Sequence, residues 1–256
     1  MRPLVSAELL KLRSTRSAWI PLVAALGYAV LAVVAATSMA GRGDNPPLSA
    51  AWLPELMRGS GGRFVDGAVL LTWIILTAGE FRHRTSVTTF LGAPRRLRVV
   101  SAKLAAAAIT GVVVGLAAQL LSAVTSAIVL STHQVPLHWT SAGVRGSLIA
   151  VPLLAALYGI LGVGLGLLVR NTAVAVGAAL MWALVIEGVL PSVTRAPGLT
   201  RWLPGNAANA VLHDAPSTTA TLLAATAAAV LTGYAIALAA AGALATAKRE
   251  IGAATG

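Results

Sequence analysis

Few residues in this chain are equipped for a reaction, and their spacing narrows what they could do. The three lysines, Lys11, Lys103 and Lys248, are followed by Leu, Leu and Arg. None completes the Gly-Lys-Ser/Thr ending of a P-loop, in which the lysine reaches the β- and γ-phosphates. No Gly-x-Ser-x-Gly elbow and no His-Glu-x-x-His zinc pair occurs. Cysteine is absent, which removes disulfides, thiolate ligands and thiol nucleophiles. The four histidines, His83, His133, His138 and His213, fall between apolar runs. His133 and His138 are five apart, but without a third ligand a solvated loop is the simpler reading. The expectation is a protein that is not an enzyme and holds no metal or cofactor of its own.

Two acids and one basic stretch remain. Asp66 and Glu187 stand near the ends of apolar runs. An acid inside a membrane is a functional candidate, for a pathway or a gate, whereas one at the headgroup layer is only a boundary residue. Both readings stay open for this pair. The basic stretch is Gly79 to Lys103, where six of 25 residues are Arg or Lys and Glu80 is the one acid. Within it Thr85 or Ser86 can cap a short helix. Val87, Phe90 and Leu91 then share one face at helical spacing. Pro94 disfavours helix at Ala93 and ends the turn. Arg95, Arg96 and Arg98 follow, suited to anionic headgroups or an acidic protein surface. Arginines alone would serve as an anchor; the added turn predicts a docking partner.

The elements that must position these residues are read from hydropathy. The chain has 256 residues, 57% hydrophobic and 11% charged, with a mean hydropathy of +0.82. Soluble domains carry about 25% charged residues. Six apolar runs are long enough, or nearly so, for the roughly 20 residues that cross a bilayer. They are 18–39, 64–79, 104–130, 147–169, 172–190 and 219–247, none with Lys or Arg inside. The second is short, at about 24 Å of helix, and spans only if Arg63 and Asp66 lie at one interface and Glu80 at the other. Lipid offers no partner for backbone amides, so helices are expected, and the alternation of barrel strands is absent. The fold class is all-α: one polytopic membrane domain over 1–256 with six transmembrane helices.

Basic residues orient it. With both termini in the cytoplasm, thirteen of the nineteen Lys and Arg lie inside and six outside. This placement, at the edges of apolar runs, accounts for the net charge of +11 without nucleic acid. The first run is too long for the core of a secretory signal, which favours an uncleaved helix. Before it, residues 1–17 read as an interfacial helix, with Val5, Leu9 and Leu12 on one stripe and Lys11 and Arg13 reaching headgroups. Gly111 and Gly115, and Gly162 and Gly166, are four apart, the spacing at which helices approach closely.

At this point the chain resembles a known family. Glu80-Phe81-Arg82-His83, Thr85, Pro94-Arg95-Arg96 and Lys103 look like the second-to-third-helix loop of type 2 ATP-binding-cassette (ABC) transporter permeases of the bacterial exporter-like group. AELLKLRSTRSAW (7–19), GLGLLVRNTAVAV (164–176) and RWLPGNAANAV (201–211) resemble other parts of the same proteins. The likeness runs over nearly the whole chain; Arg84 departs from it, where such loops often carry Gly. The resemblance implies the transmembrane subunit of an ATP-driven exporter in the bacterial cytoplasmic membrane. Two permease copies, or this chain and a homologous permease, would line a pathway. ATP and Mg would be bound by a separate cytoplasmic ATPase subunit. Loop 80–103 would dock on it, with Glu80, Arg82, Thr85, Phe90, Pro94 and Arg95 in coupling. The outer segment 191–218, with Trp202, Pro204 and Asn206, would dip into the membrane as a re-entrant element; a plain outer loop is its alternative. Two rivals from other classes remain: an ion-coupled carrier working through Asp66 or Glu187, and a membrane anchor or sensor with no pathway.

Overall fold

The structure, a computed structural model, describes residues 2–49, 51–82, 96–193, 197–213 and 222–251. Helix α1 is Arg2–Ser14 and α2 is Arg16–Met39. A short helix α3, Trp52–Gly61, precedes α4, Arg63–Arg82. Helix α5, Arg96–Thr132, is the longest. Helix α6 is Ala142–Val169. Next come α7, Thr172–Met181, a π-helical turn, Trp182–Ile186, and α8, Glu187–Val193. Short α9, Pro197–Thr200, and α10, Pro204–His213, lead to α11, Ala224–Ile251. No strand occurs among the described residues. Six helical stretches are long and apolar enough to cross a membrane.

The first four expected apolar runs each lie within one longer helix; the fifth, 172–190, is divided among α7, the π turn and α8, and the sixth, 219–247, is helical from Ala224 onward among the described residues. Hydropathy marks the part that lipid tolerates, whereas a helix continues until its backbone is capped. Helix α4 extends the doubtful 64–79 run to Arg82. Helix α5 begins eight residues before Leu104; its 37 residues make about 55 Å of helix, well beyond a hydrocarbon core of about 30 Å. Ser141 and Asn171 cap α6 and α7 by accepting from Val144 N and Val174 N. Arg170, at φ 57°, closes α6 in the left-handed region, which costs a non-glycine residue about 1–2 kcal/mol.

Helix α6 is the central element. Gly111 and Gly115 of α5 face it, and a Cβ on either would strike the Ala155 carbonyl or the backbone of Pro152. Gly162 and Gly166 of α6 face α4 at Leu70, Trp73 and Thr77, while Gly164 faces α11 at Leu238. Lipid supplies no hydrophobic force between helices, so this closeness is what stabilises the crossings, through dispersion. Two faces stay apolar and open: Ile20, Val23 and Leu31 on α2, and Val174, Met181 and Leu184 along α7 and its π turn. A soluble monomer rarely exposes patches so large. Six apolar spans with lipid-compatible outer faces make the chain a multi-pass helical membrane protein.

In helix α1 the partner of Lys11 differs from its expectation. The stripe of Val5, Leu9 and Leu12 packs on the core with Leu22, Phe81 and Leu104. Lys11 turns toward protein carboxylates instead of reaching outward. Two buried acids offer an ammonium better partners than a headgroup layer does.

Candidate functional site

Four charges meet at the end of the bundle where α1 lies. Helix geometry places Glu8 and Lys11 one turn apart on α1. Glu80 sits in the last turn of α4, and Lys103 two turns into α5. Lys11 Nζ donates to Glu8 Oε1 and Glu80 Oε1, each at 2.9 Å. Lys103 Nζ donates to Glu8 Oε2 at 2.9 Å and also to Glu80 Oε1. The side chains of Lys103, Glu8 and Glu80 are 3%, 6% and 12% exposed. Two lysines between two carboxylates therefore join three helices in a nearly dry site. Burial alone would lower the Lys11 pKa, but Glu80 and Glu8 outweigh it and hold the ammonium above its usual 10.5.

That direction fixes a pH dependence. A cation whose folded pKa is raised stabilises fully below its unfolded value and loses the effect as pH rises through the folded one. The Lys11 contribution to holding α1 is thus constant near neutrality and disappears only above about pH 10.5. Limited proteolysis after Arg13 or Arg16 should accelerate in that alkaline range, and Lys11→Gln should remove the alkaline step.

A second tie stands beside the first. Arg170 Nη2 donates to the Ala245 carbonyl at 3.1 Å, and its guanidinium lies 4.7 Å from the Phe81 ring centroid. The α6–α7 turn is thereby joined to the ends of α4 and α11, which offsets the strained backbone at Arg170. The helix ends on either side of residues 83–95, and the helices around them, are cross-linked at one end of the bundle.

Of the expected coupling residues, Glu80 is in this cluster. Arg82 ends α4. Thr85, Phe90, Pro94 and Arg95 lie outside the described residues, as does the expected capped turn. Sequence reasoning missed Glu8, Lys11 and Lys103 as partners of Glu80. The available signal was that Glu80 and Lys103, opposite in charge, flank one loop between neighbouring helices.

The other two acids are at the far end. Asp66, in the first turn of α4, is enclosed by protein: it is 1% exposed, and neither carboxylate oxygen has a hydrogen-bond donor among the described residues. Glu187 follows the π turn. Its Oε1 accepts from Trp182 Nε1 at 2.9 Å and from Gly205 N at 2.8 Å. Residues five apart do not face each other on an α-helix, whose neighbours are three and four apart. The π turn, with its i→i+5 register, brings Trp182 and Glu187 together. Gly205 is at the start of α10, where unpaired amides and the helix dipole favour an anion. A Cβ at Gly205 would collide with the Glu187 carboxylate, so a larger residue there would push the carboxylate off this amide.

Trp202, Pro204 and Asn206 fall at the start of α10. Trp202 is exposed, with the Arg201 guanidinium 5.4 Å from its ring centroid. Pro204 takes the first helical position, which its fixed φ and missing N–H suit, and Asn206 Nδ2 donates to the Thr200 carbonyl at 2.8 Å. Ala207, Ala208 and Leu212 of α10 join Ala150, Leu154 and Leu157 of α6 and Ala227 and Leu231 of α11 in one apolar cluster. Arg63 completes the far end by donating to Asn209 Oδ1 at 3.0 Å and the Gly205 carbonyl at 3.4 Å. Among the described residues no group of three His, Cys, Asp or Glu could hold a metal ion.

Comparison with protein-family models and with curated proteins finds no match. The class therefore rests on the spans and their packing: a multi-pass membrane protein whose ion pairs and candidate acids, among the described residues, lie toward the two ends of the bundle.

Proposed function

We propose that the chain is the membrane subunit of an ATP-driven exporter, built like the type 2 ABC permeases that its motifs resemble and moved by a separate ATPase. The observation that carries this reading is the Glu8–Lys11–Glu80–Lys103 cluster. A loop serves as a handle for a motor only if its stems do not yield under load. Here both stems and α1 are held by buried ion pairs. A displacement of the 83–95 loop would move them as one body, the kind of rigid shift that packed helices transmit. Glu80 then acts as a tie inside the handle rather than as a contact on the motor. Both termini would be cytoplasmic, and α10, packed on the spanning part of α6, would be the re-entrant element. Its backbone is tolerable at membrane depth because protein covers it.

The test is capture from native membranes. The tagged full chain, extracted in mild detergent, should retain a P-loop ATPase identified by mass spectrometry, and deletion of 85–91 should reduce that retention at least tenfold while leaving the permease monodisperse. Recovery of no such ATPase, or equal recovery with the deletion, would overturn the reading. Asp66 favours a second one, an ion-coupled carrier, because an enclosed acid without a donor is a natural ligand for a coupling cation. That reading expects gradient-driven flux without any ATPase, lost in Asp66→Asn.

A further inference from the structure

A cavity of about 400 Å³ lies between α4, α6, α7 with its π turn, α10 and α11. Its walls are apolar, chiefly Leu70, Leu71, Leu161, Leu165 and Leu238. The lining residues that carry a polar group are few: Glu187, Trp182, Tyr158 and Tyr234. We propose that this cavity binds an amphipathic organic cation, its apolar body among the leucines and its charge against Glu187 and the aromatic rings.

The volume falls within the range of small-molecule sites, which are mostly apolar with a few placed polar groups. The sign of the charge follows from bookkeeping around Glu187. Its Oε1 is held by two neutral N–H donors, and among the described residues no basic side chain pairs with it. The nearby basic side chain, Arg63, is turned to Asn209 and the Gly205 carbonyl. An anion would meet the Glu187 carboxylate in a medium of low dielectric, where repulsion is strong. A metal ion would find too few ligands. A cation with an apolar skin suits both the leucines and the aromatic faces, which attract positive charge. The wall toward α7 is thin, with Leu180 and Trp182 each 44% exposed, so such a ligand can arrive sideways from the lipid.

This inference goes beyond the exporter reading, since it needs neither an ATPase nor transport. The full chain in nanodiscs is titrated with tetraphenylphosphonium and with tetraphenylborate, which share a shape and differ in charge, against empty nanodiscs. The phosphonium should bind saturably and the borate should not. Glu187→Gln removes the charge but keeps an oxygen for Trp182 and Gly205, so α10 stays seated; phosphonium affinity should fall about tenfold or more. Gly67→Phe, at a lining residue where an added Cβ meets nothing within 4 Å, should abolish saturable binding by filling the space. No saturation above empty nanodiscs, equal binding of the two ions, or unchanged affinity in either variant would overturn the proposal.

Discussion

Replacing Lys103 by methionine should lower the stability of the solubilised protein by about 3–5 kcal/mol, the range for breaking a buried ion pair by removing one partner. The loss comes from what stays behind. Glu8 and Glu80 would face each other with Lys11 alone between them, and the Lys11 side chain is 37% exposed and partly screened. A carboxylate pair with half its counter-charge gone must take in water, and α1 then separates from the stems of α4 and α5. Arg98→Met is the matched control, because Arg98 is exposed on the same helix and should change stability by less than about 0.5 kcal/mol. Denaturant unfolding of detergent-solubilised protein, followed by tryptophan fluorescence, compares the two. Equal midpoints would mean that the cluster holds nothing.

The same physics predicts non-additivity. Removing the acids as well, as Glu8→Gln with Glu80→Gln on the Lys103→Met background, leaves no buried anion. Neutral groups of similar shape often do as well as a buried ion pair. The triple variant should recover part of what the single one loses, and a loss that simply summed would contradict the cluster as a unit. If the loop is a handle, the recovered variant separates two roles: it would restore stability while leaving the stems less rigidly joined.

The six spans were legible because lipid imposes a rule that sequence cannot evade: about 20 apolar residues, with every amide paired along the helix. The glycine pairs at four-residue spacing were legible for a related reason, since close approach demands small residues wherever it occurs. Helix α3 was not singled out, because Trp52–Gly61 is ten residues with Glu55 and Arg58 among them and carries no membrane signal. The charge cluster could not be read from spacing. Glu8, Glu80 and Lys103 are distant in sequence, and their meeting is set by how α1 folds back on the bundle. Lysine at a membrane boundary has two outlets, headgroup or protein carboxylate, and composition does not choose between them. For Asp66 the sequence left the pathway and boundary readings open; its enclosure depends on tertiary packing. Glu187 found its partner through a π turn, whose five-residue register no helical wheel displays.

Gly162→Val should be among the most damaging changes in the spanning helices. The new Cβ would strike the Leu70 carbonyl and lie 3.1 Å from Trp73 Cβ. The first obstacle is backbone, which cannot rotate away as a side-chain tip can. Helices α4 and α6 must therefore separate along a seam that Gly166 also holds close. Trp73, fully buried in that seam, would lose contacts across its whole ring, and dispersion falls steeply with a gap of even half an ångström. Overpacking of this kind costs about 1–3 kcal/mol and occasionally more; with backbone as the obstacle the expected loss is about 3 kcal/mol. Gly177→Val is the control, since it has the same chemistry on exposed α7 with nothing within 4 Å of the added Cβ, and should be nearly silent in the same unfolding measurement. Because Leu70 also lines the far-end cavity, a separated seam should weaken tetraphenylphosphonium binding at temperatures where the protein is still folded. A Gly162→Val protein as stable as the Gly177→Val protein would mean that α6 is not the element on which the other helices are stacked.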